Sequence, residues 1–369
     1  AALVLFGFVP FTNAQVVVQQ AATASQQNNL AGILTDVDGY TRLQPGSYYV
    51  KGTIRLEEGD TLVGAGPGLT KLFKRGNDPM FELSGDGVTL RGFSAKNLGS
   101  VVEGTGNDLY IRDVEFHGQA SPSIWLRRGD RLTVAQSRFH DMTSDAVSLD
   151  PSSSSPIIDA SIYDNQFDVI NASAISLNGG TGPAIKISNV VVRGNRFSGV
   201  QRAIHGRFVE RGSFTENTIR NASDAGIGLI GSREIILGNN VIDGAANAGI
   251  YAENNSRNVQ VVGNVVTISS GQSTVDSSAI VLDVQSKTED VIVTGNSIKV
   301  EGDYPAILMM EVRRASITSN RIVQGDRRNG AVVGGSSTGL FLAGIEQSVV
   351  ANNFISTLRD PAADEAAVL

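Results

Sequence analysis

A short pattern recurs along most of this chain: an asparagine, any residue, then an apolar one. It stands at Asn165-Gln166-Phe167, Asn195-Arg196-Phe197, Asn217-Thr218-Ile219, Asn240-Val241-Ile242, Asn264-Val265-Val266, Asn296-Ser297-Ile298, Asn320-Arg321-Ile322 and Asn353-Phe354-Ile355. Successive asparagines lie 30, 22, 23, 24, 32, 24 and 33 residues apart. A near-fixed period with strand-like alternation inside each unit marks a solenoid. It also tells which side chains point outward.

Each unit carries β-branched runs such as Val190-Val191-Val192, Ile235-Ile236-Leu237 and Val291-Ile292-Val293, bounded by Gly, Asn, Asp and Ser. Such runs read as strands, and none keeps helical periodicity for the length a helix needs. About 23 residues suits one turn of a parallel β-coil with three short strands, stacked at about 4.8 Å. About 11 coils would make a rod of roughly 50 Å. Asparagine tolerates the left-handed backbone of a sharp corner, and stacked amides can hydrogen-bond from coil to coil.

With this asparagine column the chain resembles the right-handed parallel β-helix superfamily of pectate lyases and their relatives. The resemblance covers roughly residues 43 to 355. The segments Leu43-Gln44-Pro45-Gly46-Ser47-Tyr48-Tyr49-Val50, Ile54-Arg55-Leu56 and Thr61-Leu62-Val63-Gly64-Ala65-Gly66 resemble the first coils of that superfamily. The expected fold class is all-β: a single-domain right-handed parallel β-helix solenoid of about 11 coils with a short N-terminal cap.

The unbroken repeat argues for one elongated domain, although 369 residues would allow two. A hydrophobic content of 41% suffices for a core, and 41 glycines suit a turn-dense β-protein. A net charge of −7 disfavours nucleic acid as a partner. The acidic balance is compatible with calcium, and no other cofactor is assigned. The absence of cysteine excludes disulfides and thiolate metal sites.

Residues 1–14 form an apolar stretch too short to span a bilayer. They read as the remnant of a secretory signal peptide, or else as a hydrophobic plug on the first coil. The signal reading places the protein as secreted, periplasmic or at the cell surface. Residues 15–42 are assigned to an N-terminal cap, with a short helix over 15–34 covering the open sheet edge. Residues 43–355 form the β-helix. Residues 356–369 form a tail or a short cap helix begun by Asp360-Pro361.

One strand aligns from coil to coil: Ile124-Trp125-Leu126-Arg127, Val147-Ser148-Leu149-Asp150, Ile175-Ser176-Leu177-Asn178, Ile204-His205-Gly206-Arg207, Ile227-Gly228-Leu229-Ile230, Ile250-Tyr251-Ala252-Glu253, Ile280-Val281-Leu282-Asp283, Ile307-Leu308-Met309-Met310 and Gly339-Leu340-Phe341-Leu342. Alternation sends the first and third members inward, except that the last segment fits Leu340 and Leu342 inward. Two outward columns follow, and a slip of one residue would invert them. The middle coils gather His205, Tyr251, Arg207, Asp150, Glu253, Asn178, Trp125 and Arg127 on one face. Gly206 and Ala252 replace the usual inward leucine beside His205 and Tyr251, and such departures from pattern are expected at functional sites. A solvated face with tolerated irregularities reads equally from the same residues. Insertions at 151–156, 179–183, 269–277 and 324–337 flank this strand and would wall a cleft.

A second column, His117, His140 and Asp168, follows the Phe of three successive coils. Two imidazoles and a carboxylate at strand spacing could hold a metal, or could be a solvated turn.

Resting in part on the resemblance, the leading functional reading is a secreted lyase or related enzyme acting on acidic, uronic-acid polysaccharide. β-Elimination needs a donor for the C6 carboxylate, a base for the C5 proton and an acid for the leaving oxygen. Arg207 and Arg127 suit the carboxylate, His205 the base and Tyr251 the acid. Trp125 would stack on a sugar, with Asn178 and Glu253 lining the site. His205 and Tyr251 are two coils apart, about 9–10 Å, which is long for cooperation at one bond. Hydrolysis by Asp150 and Glu253 would span four coils, roughly 19 Å, too far for paired-carboxylate chemistry; Asp145 is a closer partner for Asp150. The paired-Asp motifs of polygalacturonases, the Asp-Pro-His-Asp motif of alginate epimerases and the calcium-plus-Arg set of pectate lyases are not found.

The alternative is a non-catalytic surface or fibre protein, an adhesin or tailspike-like glycan-binding rod. It would assemble through the outward apolar residues Val281, Leu308, Met310 and Phe341. No membrane span is expected.

Overall fold

The computed structural model describes residues 30–151, 155–180, 187–269, 278–282, 288–301, 305–324 and 339–357. Their strands pair in parallel, each with the strand one coil before and one coil after it. The chain is a right-handed parallel β-helix with three faces. The first face runs from Leu30–Leu34 to Phe354–Thr357. The second runs from Ile54–Leu56 to Leu340–Ala343, and the third from Tyr40–Arg42 to Val349–Ala351. Long strands such as Gln166–Asn178 and Arg196–Arg207 pass from the first face to the second without a break. About 11 turns separate the first and last rungs of the second face. Among the described residues there is no helix, and so none long and apolar enough to cross a membrane.

The asparagine column is a continuous buried ladder. The main-chain N–H and the Nδ2 of each asparagine both donate to the Oδ1 of the next. For Asn217 onto Asn240 the two distances are 3.0 and 3.0 Å. Nδ2 also donates to a carbonyl one coil back, as Asn217 does to Val192 at 2.9 Å. Each coil thus satisfies buried corner groups of its neighbour that water cannot reach. The left-handed conformation expected at these asparagines falls one residue earlier. Asp164, Glu216, Asn239, Ser319 and Asn352 have φ of 56°, 59°, 53°, 56° and 57°, with glycine at 194, 263 and 295. The preceding residue takes the sharp corner, and the asparagine is left free to aim its amide along the axis.

Inside the coil, Phe116, Phe139, Phe167 and Phe197 form a stack with centroids 4.6–4.8 Å apart. That is the strand spacing itself, so rings at equivalent positions touch face to face. Ile219, Ile242, Ile298 and Ile322 continue the column in the buried core.

The N-terminal end differs from expectation. Leu30–Leu34 is a strand paired with Gly46–Val50 rather than part of a helix, and Tyr40–Arg42 already pairs with Thr61–Val63. The solenoid therefore starts before residue 43; alternation in a segment this short is hard to tell from helix. Residues 1–29 and 358–369 lie outside the described residues, as do 152–154, 181–186, 270–277 and 325–338. The signal peptide, the rest of the cap, the terminal cap helix and most of the expected cleft walls fall there.

Replacing Asn217 by Ala removes four hydrogen bonds and orphans the buried Asn195 N–H. The expected loss is about 3–5 kcal/mol, read as a lower urea midpoint in equilibrium unfolding.

Candidate functional site

The outward column on the second face is in register throughout. Trp125, Ser148, Ser176, His205, Gly228, Tyr251, Val281, Leu308 and Phe341 pair in succession. The flanking Ile and Leu positions are buried through the Ile307 coil, as alternation requires. In the last coil Leu340 aligns with Ile307 and packs half-buried on the core, whereas Leu342, expected inward as well, is exposed because no further coil covers it among the described residues. Gly206 does not mark a functional gap: a Cβ there would lie 3.1 Å from Leu229 Cδ2 and 3.4 Å from Val209 Cγ2. Neighbouring side chains already fill the space an inward leucine would take.

Gly228 has a different role. A Cβ on Gly228 would lie 2.1 Å from Cζ and 2.3 Å from Oη of Tyr251. The phenol therefore lies flat across Gly228, pointing back along the axis towards His205. Although the two backbones are two coils apart, the hydroxyl stands over the intervening rung. That leaves about one strand spacing, 4.8 Å, between the hydroxyl and the His205 position. The expected separation of about 9–10 Å holds for the backbones, and the hydroxyl stands one rung nearer to His205.

Three further residues frame this pair. Arg202 Nε donates to Asp224 Oδ2 at 2.6 Å, and Asn247 Nδ2 donates to Asp224 Oδ1 at 2.8 Å. With Tyr251 and Glu253 they line a depression of about 280 Å³. Sequence reading missed all three because it stopped at the isoleucine. The position two residues before it carries Ser173, Arg202, Ala225 and Ala248 in one aligned column. Extending the alignment by those residues would have found Arg202. Asp145 is half-buried nearby, where its Oδ1 accepts the Ser173 N–H at 3.0 Å. Burial raises its carboxyl, against the lowering effects of the Ser173 and Ser176 hydrogen bonds and of Arg202.

The electrostatics of the pair follow from burial beside cations. His205 is pushed down to about 4, first by desolvation and then by Arg202 and Arg207, with Asp224 opposing. Tyr251 is pushed up to about 12, chiefly by desolvation. At neutral pH both are uncharged: an imidazole with a free lone pair and a phenol with its proton. Arg207 sits beside them with no ion pair among the described residues, and its Nε is buried without a hydrogen-bond partner. Asn178, one rung back, donates to Asp150 at 3.0 Å, and its own Oδ1 is likewise unsatisfied. Unpaired buried polar groups cost stability, so a pair on one face reads as a place kept for a ligand.

Other expected site residues are not brought together. The Arg127 guanidinium lies 4.3 Å over the Trp125 ring and pairs with Glu103 at 2.9 Å. One face of the indole is therefore occupied, and Trp125 stands three rungs from His205, about 14 Å. His117 and His140 do stack, with centroids 5.3 Å apart, and His140 aligns with Asp168. Their donors do not converge, however. His140 faces Asp141 at 2.7 Å and Glu115 at 3.1 Å, while Asp168 accepts from Arg138 at 3.3 Å and Gln166 at 2.7 Å. Among the described residues no group of three acidic or His side chains is placed to share a metal. On the second face Asp224 is engaged by Arg202 and Asn247, and Asp150 by Asn178. Nor do Val281 and Leu308 form an exposed interface. At 1% and 4% exposure they belong to a second apolar cluster with Ala248, against which Tyr251 and Met310 pack. Phe341 alone of the four is exposed, at 39%. Asp283 lies outside the described residues.

Burial of a neutral imidazole makes stability depend on pH. The folded value lies below the ordinary one near 6.5, so the unfolded chain binds the extra proton between pH 6.5 and 4. Stability is expected to fall as pH drops through that window, by at most about 3 kcal/mol. Unfolding midpoints of wild type and His205→Gln at pH 7 and pH 4 should show this share of the loss missing from the variant.

A family model described as a right-handed β-helix region matches residues 162–298. No curated protein matches the sequence significantly. Among solved structures, the A-module of the mannuronan C-5 epimerase AlgE4 of Azotobacter vinelandii aligns with TM-score 0.52 and 14% identity, covering 86% of this chain and 90% of that one. PfbA, a surface adhesin of Streptococcus pneumoniae, aligns with TM-score 0.49 and 12% identity, over 87% and 84%. A DFA-IIIase from Arthrobacter chlorophenolicus aligns with TM-score 0.45 and 12% identity, over 88% and 84%. At these identities the likeness is one of fold, and in fold the chain is a right-handed parallel β-helix protein.

Proposed function

We propose that this protein acts on acidic polysaccharide, as a lyase or a related enzyme on uronic-acid chains, outside the cytoplasm where such polymers occur. The observation that carries the reading is Arg207: a cation with a buried, unpartnered Nε, held beside a neutral imidazole and a neutral phenol. The mannuronan named for the structurally similar epimerase module is a polymer of this class.

The roles follow from the chemistry of a uronate. Arg207 receives the C6 carboxylate and disperses the charge that builds there as the C5 proton leaves. His205 takes that proton. Binding the carboxylate also offsets the positive charge of Arg207, which lowers His205 in the free protein. The imidazole therefore becomes a stronger base when substrate arrives. Tyr251, protonated at any physiological pH, donates to the leaving oxygen. Arg202 and Asp224 hold each other and frame the depression. No step is assigned to a metal, to Trp125 or to Asp150.

Ultraviolet absorbance of unsaturated uronate ends, on a panel of uronic-acid polymers with and without calcium, tests the reading. Wild-type protein is expected to produce them. Arg207→Ala should lower kcat/KM by about 100-fold, since a charge-assisted contact to the reacting group is lost. A flat trace, with wild type but not Arg207→Ala retained on an immobilised polymer, would instead identify a glycan-binding rod.

A further inference from the structure

We propose that this face selects uronates whose C4 oxygen is equatorial and whose C5 hydrogen is axial, the gluco and manno configurations, and that Gly228 is the positioning residue behind that choice. The inference rests on the uronan-lyase reading and narrows it.

His205 and Tyr251 project from the same wall of the solenoid, in one outward column with Gly228 between them. The phenol crosses Gly228, so its hydroxyl lies over the rung next to His205. Charges from the His205 coil act on that hydroxyl: Arg202 and Arg207 are both among the groups that influence Tyr251. Base and acid thus approach a bound sugar from one side, from positions about one strand spacing, 4.8 Å, apart.

In a ring with equatorial O4 and axial H5, these two substituents are about 60° apart in dihedral angle and can be reached from the same side. In the galacturonate and guluronate configurations O4 is axial and about 180° from H5, so the two point to opposite faces of the ring. A single wall reaches only one of them.

His205 takes H5 as a proton, and the C5–H electron pair becomes the C4–C5 double bond. The C4–O4 bond breaks, and its pair leaves on the oxygen attached to the anomeric carbon of the next sugar. That oxygen takes the Tyr251 proton and becomes a new reducing end. The proton on His205 then returns to the phenolate, which restores both groups.

Gly228 makes this possible by lacking a side chain. The three atoms nearest a Cβ at this position all belong to the Tyr251 ring, and the backbone there is not left-handed. Alanine would therefore displace the phenol without straining the coil.

The test compares initial rates of unsaturated-end formation by the full chain on polymannuronate, polyglucuronate, polyguluronate and polygalacturonate. The first two should be cleaved with kcat/KM at least about tenfold above the last two. Gly228→Ala should lower kcat about tenfold or more while KM stays within about threefold and the thermal midpoint is unchanged. Equal or faster cleavage of polyguluronate or polygalacturonate overturns the stereochemical inference and leaves the lyase reading standing. Wild-type kcat in Gly228→Ala overturns the positioning role. If no polymer yields unsaturated ends, both fall. Should Gly228→Ala fail to fold, Tyr251→Phe takes its place, with the same loss of kcat expected and a wild-type kcat equally fatal.

Discussion

Everything in this molecule depends on coils repeating at one hydrogen-bonded spacing. Parallel pairing sets that spacing on three faces, and the asparagine ladder carries it through a corner where the sheets would otherwise leave buried polar groups unpaired. The phenylalanine stack, with centroids 4.6–4.8 Å apart, shows the core following the same interval. With the register locked at the corner, each outward residue has a fixed neighbour above and below it. Functional groups on the second face inherit that precision from the scaffold.

The same rigidity limits what the face can do. Groups on adjacent rungs are close, and groups two rungs apart are separated by more than a hydrogen-bonding distance. Tyr251 escapes the limit because the rung below it carries Gly228, and the ring lies down into the vacant place. Burial under that arrangement, beside Arg202 and Arg207, keeps the imidazole deprotonated; desolvation keeps the phenol protonated. Acid–base character here comes from position rather than from residue type. The Arg202–Asp224–Asn247 network holds one of the two cations in an ion pair and leaves Arg207 the other.

Alternation tells which side of a strand a residue occupies and nothing about what lies over it. That explains the particular misreadings. Val281 and Leu308 are outward by register yet buried in a second apolar cluster. Trp125 is outward, but its ring is stacked by the guanidinium two residues on. His117 and His140 align as the spacing requires, while the ring nitrogens of His140 turn to Asp141 and Glu115 instead of to a point shared with His117. Gly206 looked like a gap and proved to be filled from adjacent coils. In each case the deciding contact comes from a long side chain whose rotamer the period does not specify.

The sequence by itself determined the solenoid, its period, the ladder and the inward-outward register of the second face, because each follows from a repeat that local stereochemistry reads at every coil. It placed His205, Arg207 and Tyr251 in two adjacent outward columns for the same reason. Only the tertiary structure decided that the phenol reaches back over Gly228 and that Arg202, Asp224 and Asn247 frame the same depression. These are relations between residues 22 to 46 positions apart, set by the space each side chain leaves for the next coil. Such relations exist only once the coils are stacked.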